Sequence, residues 1–377
     1  MKIFGMSFGD RLKHIDPILF ICTAFLSLMS ILTIFGAMDN FGRSKLTMQI
    51  AMTAVGVVVL FVVANVDYRF FVDRFAIIMI LASVFLLAIT LIFGSTGENM
   101  ETANRSWLRI PIVNIAIQPS EFVKVAFICT FAKHIEAVRP KINHPKSLLG
   151  LALHAILIVG LILLSGDLGV SLVYMGIIVF MLFFSGLSGW YFLGAAAILA
   201  SLFPFLWELL RTDQQNRIIF GFQPELDPEG VGMQALMSRD AIASGGLFGR
   251  GLFEGGIYEQ LPASHTDFIF STICEKFGIV GGILAVIALG VMVIRLLYIA
   301  LKTRDPVGRL ICGGVAATIM IQTVENLWMC VAAVPVVGIT LPFLSAGGSS
   351  MLALYFLVGL AHSVAAHERR FFFRRER

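Results

Sequence analysis

Residues 148–207 contain three apolar stretches in close succession: LLGLALHAILIVGLILL (148–164), VSLVYMGIIVFMLFFS (170–185) and GWYFLGAAAILASLFPFLW (189–207). None of the three contains Lys, Arg, Asp or Glu. A helix that crosses a bilayer needs about 20 mostly apolar residues, and each stretch approaches that length. Short glycine-containing turns separate them, so this region predicts consecutive membrane-spanning helices.

The same pattern recurs along the whole chain of 377 residues, of which 58% are hydrophobic and 14% charged. Soluble domains carry about 25% charged residues, so the composition excludes a soluble, disordered, collagen-like or coiled-coil protein. The five cysteines fall inside apolar runs, which excludes a disulfide framework and a CxxC metal site. We therefore predict a single all-α, polytopic membrane domain over residues 1–377. Its ten expected spans are Pro17–Ala37, Leu46–Val66, Phe75–Phe93, Ser120–Phe131, Leu148–Leu164, Val170–Ser185, Gly189–Trp207, Phe268–Ala300, Leu310–Ala333 and Ser345–Ala366.

Basic residues predict the orientation of these spans. With ten spans both termini lie on one side, and most loop Lys and Arg residues fall on that side, including the tail RRFFFRRER (369–377). Cytoplasmic loops carry an excess of Lys and Arg, so we expect both termini in the cytoplasm, with the tail as a basic aromatic anchor for the inner leaflet. Two long loops, Gly94–Pro119 and Leu209–Asp267, would then lie outside, where long loops usually carry function.

The first outer loop combines polar and aromatic residues just before a span. It contains Asn104, Arg105, Trp107 and Arg109. The planar fork of arginine suits phosphate and pyrophosphate groups. Trp107 would either stack on a sugar ring or belong to the aromatic belt at the membrane interface.

The fourth predicted span begins with the charged segment PSEFVK (119–124). Pro119 and Ser120 are typical of a helix start, with Ser120 as the capping residue. Glu121 and Lys124 are three residues apart and share a helix face, so they can form an ion pair. That pair would either fix helix packing or face a functional cavity, and spacing alone does not separate these two interpretations.

Two aspartates mark the outer ends of later spans. Asp167 follows the fifth span and would cap the sixth helix or contact substrate. Asp267 lies beside His265 and Thr266 where the second outer loop meets the eighth span. A partly desolvated carboxylate there could act as a general base, and the alternative is an N-cap for the eighth helix.

Other polar features are less specific. The glycine-rich GGLFGRG (245–251) would allow the backbone to approach a ligand closely, although it lacks the Lys-Ser/Thr pair of a P-loop. The ninth span carries Gln322, Glu325 and Asn326, and Glu325 would form a polar bond between helices or line a cavity. The following VPVVGITLPFLSAGGSS (334–350) predicts a non-helical segment, which is tolerated at membrane depth when it is buried in protein or lines a cavity.

Several motifs of enzymes are absent from the sequence. No two aspartates are two positions apart, so the chain has no DxD motif for a metal and a nucleotide-sugar, and HExxH and GxSxG are also missing. His265 is the one histidine in an outer loop, which excludes an all-histidine metal site on that face.

Together, ANRSWLRI (103–110), IQPSEFVKV (117–125), DLGVSLVY (167–174), GLFGRGL (246–252), LPASHTDFIF (261–270) and LPFLSAGGSS (341–350) resemble the SEDS family of cell-wall polymerases, which comprises RodA, FtsW and SpoVE. The motifs occur in family order, and the ten-span topology extends the resemblance over the chain. The short tails are most similar to the RodA branch.

The resemblance implies a peptidoglycan glycosyltransferase that polymerises lipid II, an undecaprenyl-pyrophosphate disaccharide-pentapeptide, at the outer face of the membrane. Asp267 would be the essential acid and general base of an inverting transfer. The family's helix Glu and Lys fall at Glu121 and Lys124, which we assign to the catalytic set. The substrate-binding residues would be Trp107, Arg105, Arg109, His265, Thr266, Asp167 and Ser349. Arg211 and Arg217 are further outer cations that could face the leaving pyrophosphate.

The resemblance also implies partners. A class B penicillin-binding protein, which is a transpeptidase, would work beside the enzyme, and no nucleic acid is expected. No cofactor is assigned, although a divalent cation such as Mg²⁺ or Mn²⁺ could assist departure of pyrophosphate.

This chain departs from the family pattern at Ser165–Gly166, Ala263, Ala346 and Glu325. Two other functions therefore stay open: a flippase or transporter for lipid-linked precursors, and a non-catalytic scaffold that activates a penicillin-binding protein.

Overall fold

The computed structural model describes residues 15–95, 105–110, 115–209 and 212–375, and most of these residues are helical. The helices in chain order are α1 (Pro17–Gly36), α2 (Met38–Phe41), α3 (Arg43–Asn65), α4 (Tyr68–Phe93), α5 (Pro119–Val138), α6 (Pro145–Leu164), α7 (Leu168–Phe184), α8 (Gly189–Leu209), α9 (Thr212–Phe222), α10 (Met233–Ser244), α11 (Ile269–Lys302), α12 (Pro306–Cys330) and α13 (Gly348–Arg375). An antiparallel hairpin of β1 (Leu108–Ile110) and β2 (Ile115–Ile117) precedes α5. Short 3₁₀ turns occur at Arg139–Lys141, Pro224–Leu226 and Ile257–Glu259.

Ten of the described helices coincide with the ten predicted spans, so the polytopic all-α fold is confirmed. Seven are long and apolar enough to cross a membrane: α1, α3, α4, α6, α11, α12 and the Gly348–Glu368 part of α13. Helix α7 and the Gly189–Phe205 part of α8 are apolar but shorter. Helix α5 carries Glu121, Lys124 and Lys133 and extends seven residues beyond the predicted end at Phe131.

Several helices begin at proline or after a capping side chain. Proline occupies the start of α1, α5, α6 and α12, where its missing N–H costs nothing. Asp167 accepts a hydrogen bond from the Val170 N–H and caps α7, as one of the two interpretations predicted. The predicted capping role of Ser120 is wrong, because Gln118 holds the N-cap of α5 and Ser120 lies inside the helix.

Helices α12 and α13 form the centre of the bundle. In the most apolar stretch of each helix, 78% of the residues are buried in α12 and 83% in α13, whereas only 17% are buried in α4. The face of α4 that carries Ile77 and Ile92 is exposed, as a lipid-facing surface requires. Helix α3 packs closely on α13 at Gly56. A Cβ atom added there would come within 2.2 Å of the Tyr355 ring, so only glycine allows this approach. Small residues at helix contacts give membrane helices this kind of close packing.

The start of α1 is tied to two distant helices. Asp16 is 1% exposed, and the Arg295 guanidinium of α11 donates to its carboxylate at 2.7–3.1 Å. The backbone N–H of Asp16 donates to Nδ1 of His362 in α13 at 3.0 Å. These contacts hold α1, α11 and α13 together at one end of the bundle.

Helix α11 differs from the predicted eighth span, Phe268–Ala300, because it is not continuous. Gly278 has φ 72° and ψ −178°, which separates a short helix (269–277) from a long one (279–302). The long part alone exceeds the roughly 20 residues that a span requires. The short part packs against α10.

The predicted outer loop Leu209–Asp267 is also more regular than the sequence suggested. It contains α9, α10 and two 3₁₀ turns. The predicted non-helical segment at 334–350 is confirmed for residues 334–347, whereas residues 348–350 belong to the start of α13.

Candidate active site

Asp267 lies in a turn whose backbone is fixed from two other elements. The His265 carbonyl accepts the Ala346 N–H at 2.9 Å, and the Thr266 carbonyl accepts the Ser345 hydroxyl at 2.6 Å. The Asp267 carbonyl accepts Nδ2 of Asn326 at 2.6 Å. Three consecutive carbonyl groups are therefore held by residues of α12 and of the segment before α13. The position of Asp267 is set by tertiary contacts and not by its own helix.

The Asp267 carboxylate is half-buried and lies against Gly338. Gly338 has φ +69°, and a Cβ atom there would come within 3.2 Å of Oδ2 of Asp267. Phe268 holds the N-cap of α11 without a capping side chain, so the predicted capping role of Asp267 is wrong. The carboxylate therefore contacts the non-helical segment at 334–347.

Asp167 and Ser349 are brought together by Gln118. Nε2 of Gln118 donates to Oδ2 of Asp167 at 3.0 Å, and the Gln118 N–H donates to the Ser349 hydroxyl at 3.1 Å. Asp167 is 5% exposed. The end of β2, the start of α7 and the start of α13 therefore meet at one point. Gly169 in α7 packs against Val337 and Ile339, the neighbours of the Gly338 that Asp267 contacts.

Glu121 and Lys124 form the predicted ion pair, which is buried. Lys124 Nζ lies 2.9 Å from Oε1 and 3.0 Å from Oε2 of Glu121, and the side chains are 4% and 1% exposed for Glu121 and Lys124 respectively. Glu121 is close enough to Asp167 and Tyr174 for charge interaction. The pair thus extends the polar cluster from the start of α5 into the bundle.

Helices α5 and α12 also carry buried polar atoms that lack a hydrogen-bond partner within the described part of the chain. Among the described residues, Ser120 Oγ, Gln322 Oε1 and Glu325 Oε2 are buried without a hydrogen-bond partner. Glu325 lies within electrostatic range of Lys124. The cavity interpretation of Glu325 fits this arrangement better than the interhelical hydrogen bond, since the buried oxygen has no such bond. Buried polar atoms of this kind usually contact ordered water.

Strand β1 contains Arg109, and the residues just before it include Arg105 and Trp107. The Arg105 N–H donates to the Ser165 carbonyl at 3.2 Å. The exposed Arg105 side chain helps to line a cavity of about 300 Å³, together with Leu91, Leu164, Ser165 and Gly166. Trp107 is half-buried and pairs with Ser95, and Arg109 is exposed on β1. Asn104 and Arg211 lie outside the described residues, as does the side chain of Arg217.

His265 and Thr266 contribute to the turn. The His265 ring packs against Phe41 with 5.2 Å between centroids, and the Thr266 hydroxyl donates to the Ala263 carbonyl at 3.2 Å. Ala263, one of the departures from the family pattern, has φ +54°. The substrate contacts predicted for His265 and Thr266 remain predictions.

The glycine-rich loop approaches the protein itself. A Cβ atom at Gly245 would come within 1.9 Å of the Cys274 carbonyl, and one at Gly249 within 2.1 Å of the Lys276 carbonyl. Gly245 and Gly249 therefore allow close packing on the short part of α11, and the approach of this loop to a ligand stays a prediction.

Glu275 and Lys276 hold the same loop through side-chain contacts. Glu275 accepts the N–H groups of Ile257 and Tyr258 at 2.7 and 2.9 Å. Lys276 Nζ donates to the Leu252 carbonyl at 2.8 Å and to the Tyr258 hydroxyl at 3.1 Å. Burial, with the nearby Glu259 and Glu275 carboxylates, raises the pKa of Tyr258 to about 12, so its hydroxyl stays protonated near neutrality.

The sequence alone assigned no site role to four residues that organise the site: Gln118, Asn326, Gly338 and Ser345. Asn326 did carry a signal, because a polar amide inside a span is costly unless it is bonded. The other three occupy positions where glutamine, glycine and serine are common, so their types gave no comparable signal.

The described residues offer no preformed metal cage, since no three His, Cys, Asp or Glu side chains among them converge on a point. We therefore assign no step of the reaction to a metal ion.

A family model described as a cell cycle protein, FTSW_RODA_SPOVE, matches residues 13–370. The chain is 33% identical over 371 residues to the peptidoglycan glycosyltransferase MrdB of Escherichia coli, with 96% of each chain covered. It is 33% identical over 367 residues to a probable peptidoglycan glycosyltransferase FtsW of Trichlorobacter lovleyi, with 94% of each covered. It is also 34% identical over 339 residues to stage V sporulation protein E of Bacillus subtilis, with 88% of this chain and 89% of the relative covered.

Solved structures give the same result for the fold. A chain from a study of how a peptidoglycan synthase complex coordinates polymerization and crosslinking matches with a TM-score of 0.81 and 27% identity, covering 94% of this chain and 98% of that one. The rod shape determining protein RodA of Thermus thermophilus matches with a TM-score of 0.68 and 26% identity, covering 93% and 96%. On the family model, the similar sequences and the similar structures, the chain belongs to the FtsW/RodA/SpoVE family.

Proposed function

We propose that this protein is a peptidoglycan glycosyltransferase that polymerises lipid II into glycan strands. The observation that carries the proposal is the half-buried Asp267 carboxylate, which is positioned by three backbone contacts next to the polar cluster of Asp167 and Glu121. A carboxylate that is held in place in this way can accept the proton of an acceptor hydroxyl. The curated names of the similar proteins from E. coli and T. lovleyi support the same activity.

The chemistry follows from the position of Asp267. Its carboxylate takes the proton from the 4-hydroxyl of the N-acetylglucosamine of an incoming lipid II. The hydroxyl oxygen attacks the anomeric carbon of the growing strand, and the bond from that carbon to the pyrophosphate oxygen breaks. The anomeric configuration is inverted, and the lipid pyrophosphate leaves with the electron pair.

The remaining candidate residues act around this step. Arg105 and Arg109 are exposed cations at the same end of the bundle and would stabilise the leaving pyrophosphate, since arginine pairs well with phosphate oxygens. Trp107 would stack on a sugar ring. Glu121 and Lys124 would balance the charge of the polar cluster at the start of α5, and Asp167, His265, Thr266 and Ser349 would contact the substrate.

The distribution of basic residues supports an extracytoplasmic active site and cytoplasmic termini. The polar cluster around Asp267 lies at the end of the bundle that we assign to the outer face. A flippase would need polar groups that reach both leaflets, so the clustering favours chemistry over transport.

A class B penicillin-binding protein is the proposed partner. The solved structure that matches with a TM-score of 0.81 comes from a study of a peptidoglycan synthase complex that coordinates polymerization and crosslinking, and crosslinking is the chemistry of a transpeptidase. A scaffold that activates such a partner without catalysis is the alternative that the experiment below excludes or supports.

The experiment is lipid II polymerisation by the purified protein, with and without its transpeptidase. Wild type is compared with Asp267→Asn and with Asp240→Asn, a matched change at an exposed helix position. We expect glycan strands from wild type and Asp240→Asn and none from folded Asp267→Asn. Equal product from all three would remove Asp267 from the mechanism, and no product from any of them, even with the partner, would favour a scaffold or transporter.

A further inference from the structure

Asn326 is a buried amide in the centre of the bundle. It lies in α12 and is 0% exposed. Its Nδ2 donates to the Asp267 carbonyl at 2.6 Å and to the Ile339 carbonyl at 2.6 Å. An amide NH₂ group has two hydrogens, so one side chain satisfies two carbonyl groups from separate parts of the chain.

These two carbonyl groups flank the candidate base. One belongs to Asp267 itself, and the other belongs to Ile339, which follows Gly338. Because the Asp267 carboxylate lies against Gly338, the Asn326 amide fixes the spacing between the carboxylate and the segment that it faces. Ser345 and Ala346 hold the two preceding carbonyl groups from the same segment.

Helix packing alone would not require this amide. Residues of α12 at neighbouring turns bond within their own helix, as Thr323 does to the Ile319 carbonyl at 2.6 Å. Asn326 instead donates to carbonyl groups of two non-helical segments. One segment carries the Asp267 side chain, and the other contacts it through Gly338. Its removal would take the amide donor from the Ile339 carbonyl and leave the Asp267 carbonyl with the weak 3.8 Å contact of the Cys330 thiol.

We infer that Asn326 is a positioning residue, which acts on the reaction through Asp267 and does not touch the substrate. The inference rests on the proposed function, because it assigns Asn326 to the geometry of the proposed base. A displacement of about 1 Å at a reacting group costs rate by up to about 100-fold, while substrate binding far from that group is unaffected.

The test uses two variants and one matched control in the full-length protein with its partner. Asn326→Leu has a similar volume and no donor, and Asn326→Asp is isosteric but has at most one donor. Thr323→Val removes a hydrogen bond that stays within the same helix. For each we measure kcat and KM for lipid II, together with the thermal stability of the purified protein.

We expect kcat to fall about 10- to 100-fold in both Asn326 variants, with KM within about twofold of wild type, and both constants nearly unchanged in Thr323→Val. If Asn326→Leu fails to fold, Asn326→Asp decides the outcome. Unchanged kcat in a folded Asn326 variant overturns the inference, as does a rise in KM at constant kcat, which would indicate a binding role.

A readout without turnover separates this inference from the proposed function. In a cryo-electron microscopy structure of Asn326→Leu, or of Asn326→Asp, we expect the Asp267 carboxylate to have moved away from Gly338. An unmoved carboxylate overturns the positioning role even if wild type polymerises lipid II. A moved carboxylate supports it even if the wild-type assay shows no glycan product, in which case the proposed function alone fails.

Discussion

The Glu121–Lys124 ion pair could contribute to helix packing, to the reaction or to both. Stability and activity, measured together in variants of the pair, distinguish these roles. Removing one partner of a buried ion pair leaves an uncompensated charge and typically costs about 3–5 kcal/mol. Lys124→Met should therefore lower stability strongly. The double variant Glu121→Leu, Lys124→Met should recover most of it, since apolar replacements of both partners are often neutral or stabilising.

Thermal unfolding in detergent, followed together with lipid II polymerisation, checks this prediction. If the pair is catalytic, the double variant is stable and inactive. A stable double variant with wild-type activity would assign the pair to packing alone.

Glu325 is predicted to reduce stability. Its Oε2 atom is buried without a hydrogen-bond partner among the described residues, and an unsatisfied buried polar group costs about 1–3 kcal/mol. Glu325→Leu should raise the unfolding temperature, while Glu229→Leu, an exposed loop change, should have little effect. A lower unfolding temperature for Glu325→Leu would mean that its carboxylate compensates Lys124.

At the residue scale, local spacing predicted what lies within one element. The Glu121–Lys124 pair followed from a spacing of three on one helix, and Asp167 was predicted as a cap. The surroundings of Asp267 did not follow, because its carbonyl and that of Thr266 are held by residues 59 and 79 positions away in the chain. No local pattern encodes such contacts.

At the scale of elements, the break in α11 is the most demanding backbone feature. Gly278 has φ +72°, and a Cβ atom there would come within 2.2 Å of the Leu247 carbonyl. Gly278→Ala should therefore lower stability by about 1–3 kcal/mol or more and release the glycine-rich loop. Gly290→Ala in the same helix has no atom near the added methyl and should be neutral or slightly stabilising.

Limited proteolysis between Gly245 and Glu259, together with thermal unfolding, checks the effect of Gly278→Ala. Equal protease resistance in both glycine variants would show that the break does not hold the loop.

The Asp305 carboxylate links α4 to α12 and gives the protein a pH-dependent contact. Burial alone would raise the pKa of Asp305, but hydrogen bonds from the Tyr68 hydroxyl and the Gly308 N–H, with the Arg69 guanidinium, hold it below its ordinary value. A lowered folded-state pKa adds stability above the unfolded pKa of about 3.9, and this stability is lost as the pH falls through the folded value.

Asp305→Asn should therefore be less stable than wild type at pH 7, and the difference should shrink below about pH 4. Unfolding temperatures of both proteins between pH 3 and pH 7 measure it. A constant difference over that range would show that the Asp305 charge contributes nothing.

The spans were predictable because a bilayer imposes a simple rule of length and apolarity. The break at Gly278 was not, since glycine is common in uninterrupted membrane helices and only the contact with Leu247 reveals its role. Helices α9 and α10 were missed because their mixed polar sequences lack the long apolar runs by which the spans were found.

At the scale of the whole molecule, the orientation can be tested with introduced cysteines. The native cysteines give a low background, because Cys129, Cys274, Cys312 and Cys330 are buried and Cys22 is half-buried. An impermeant maleimide applied to intact spheroplasts should label Glu254→Cys, which is exposed near the candidate site. It should label Lys141→Cys, which is exposed at the other end of the bundle, only after the membrane is opened. The reverse pattern would place the active site in the cytoplasm.

The link between Asp16, Arg295 and His362 has a consequence for biosynthesis. The ribosome delivers α1 to the membrane first, but these partners of Asp16 follow 279 and 346 residues later. A carboxylate cannot be buried unpaired without a large cost, so Asp16 must stay hydrated at the membrane surface through most of translation. The first helix to emerge is thus among the last to reach its final place, and a nascent chain truncated before α11 would expose an unfinished helix end to the cell's quality-control proteases.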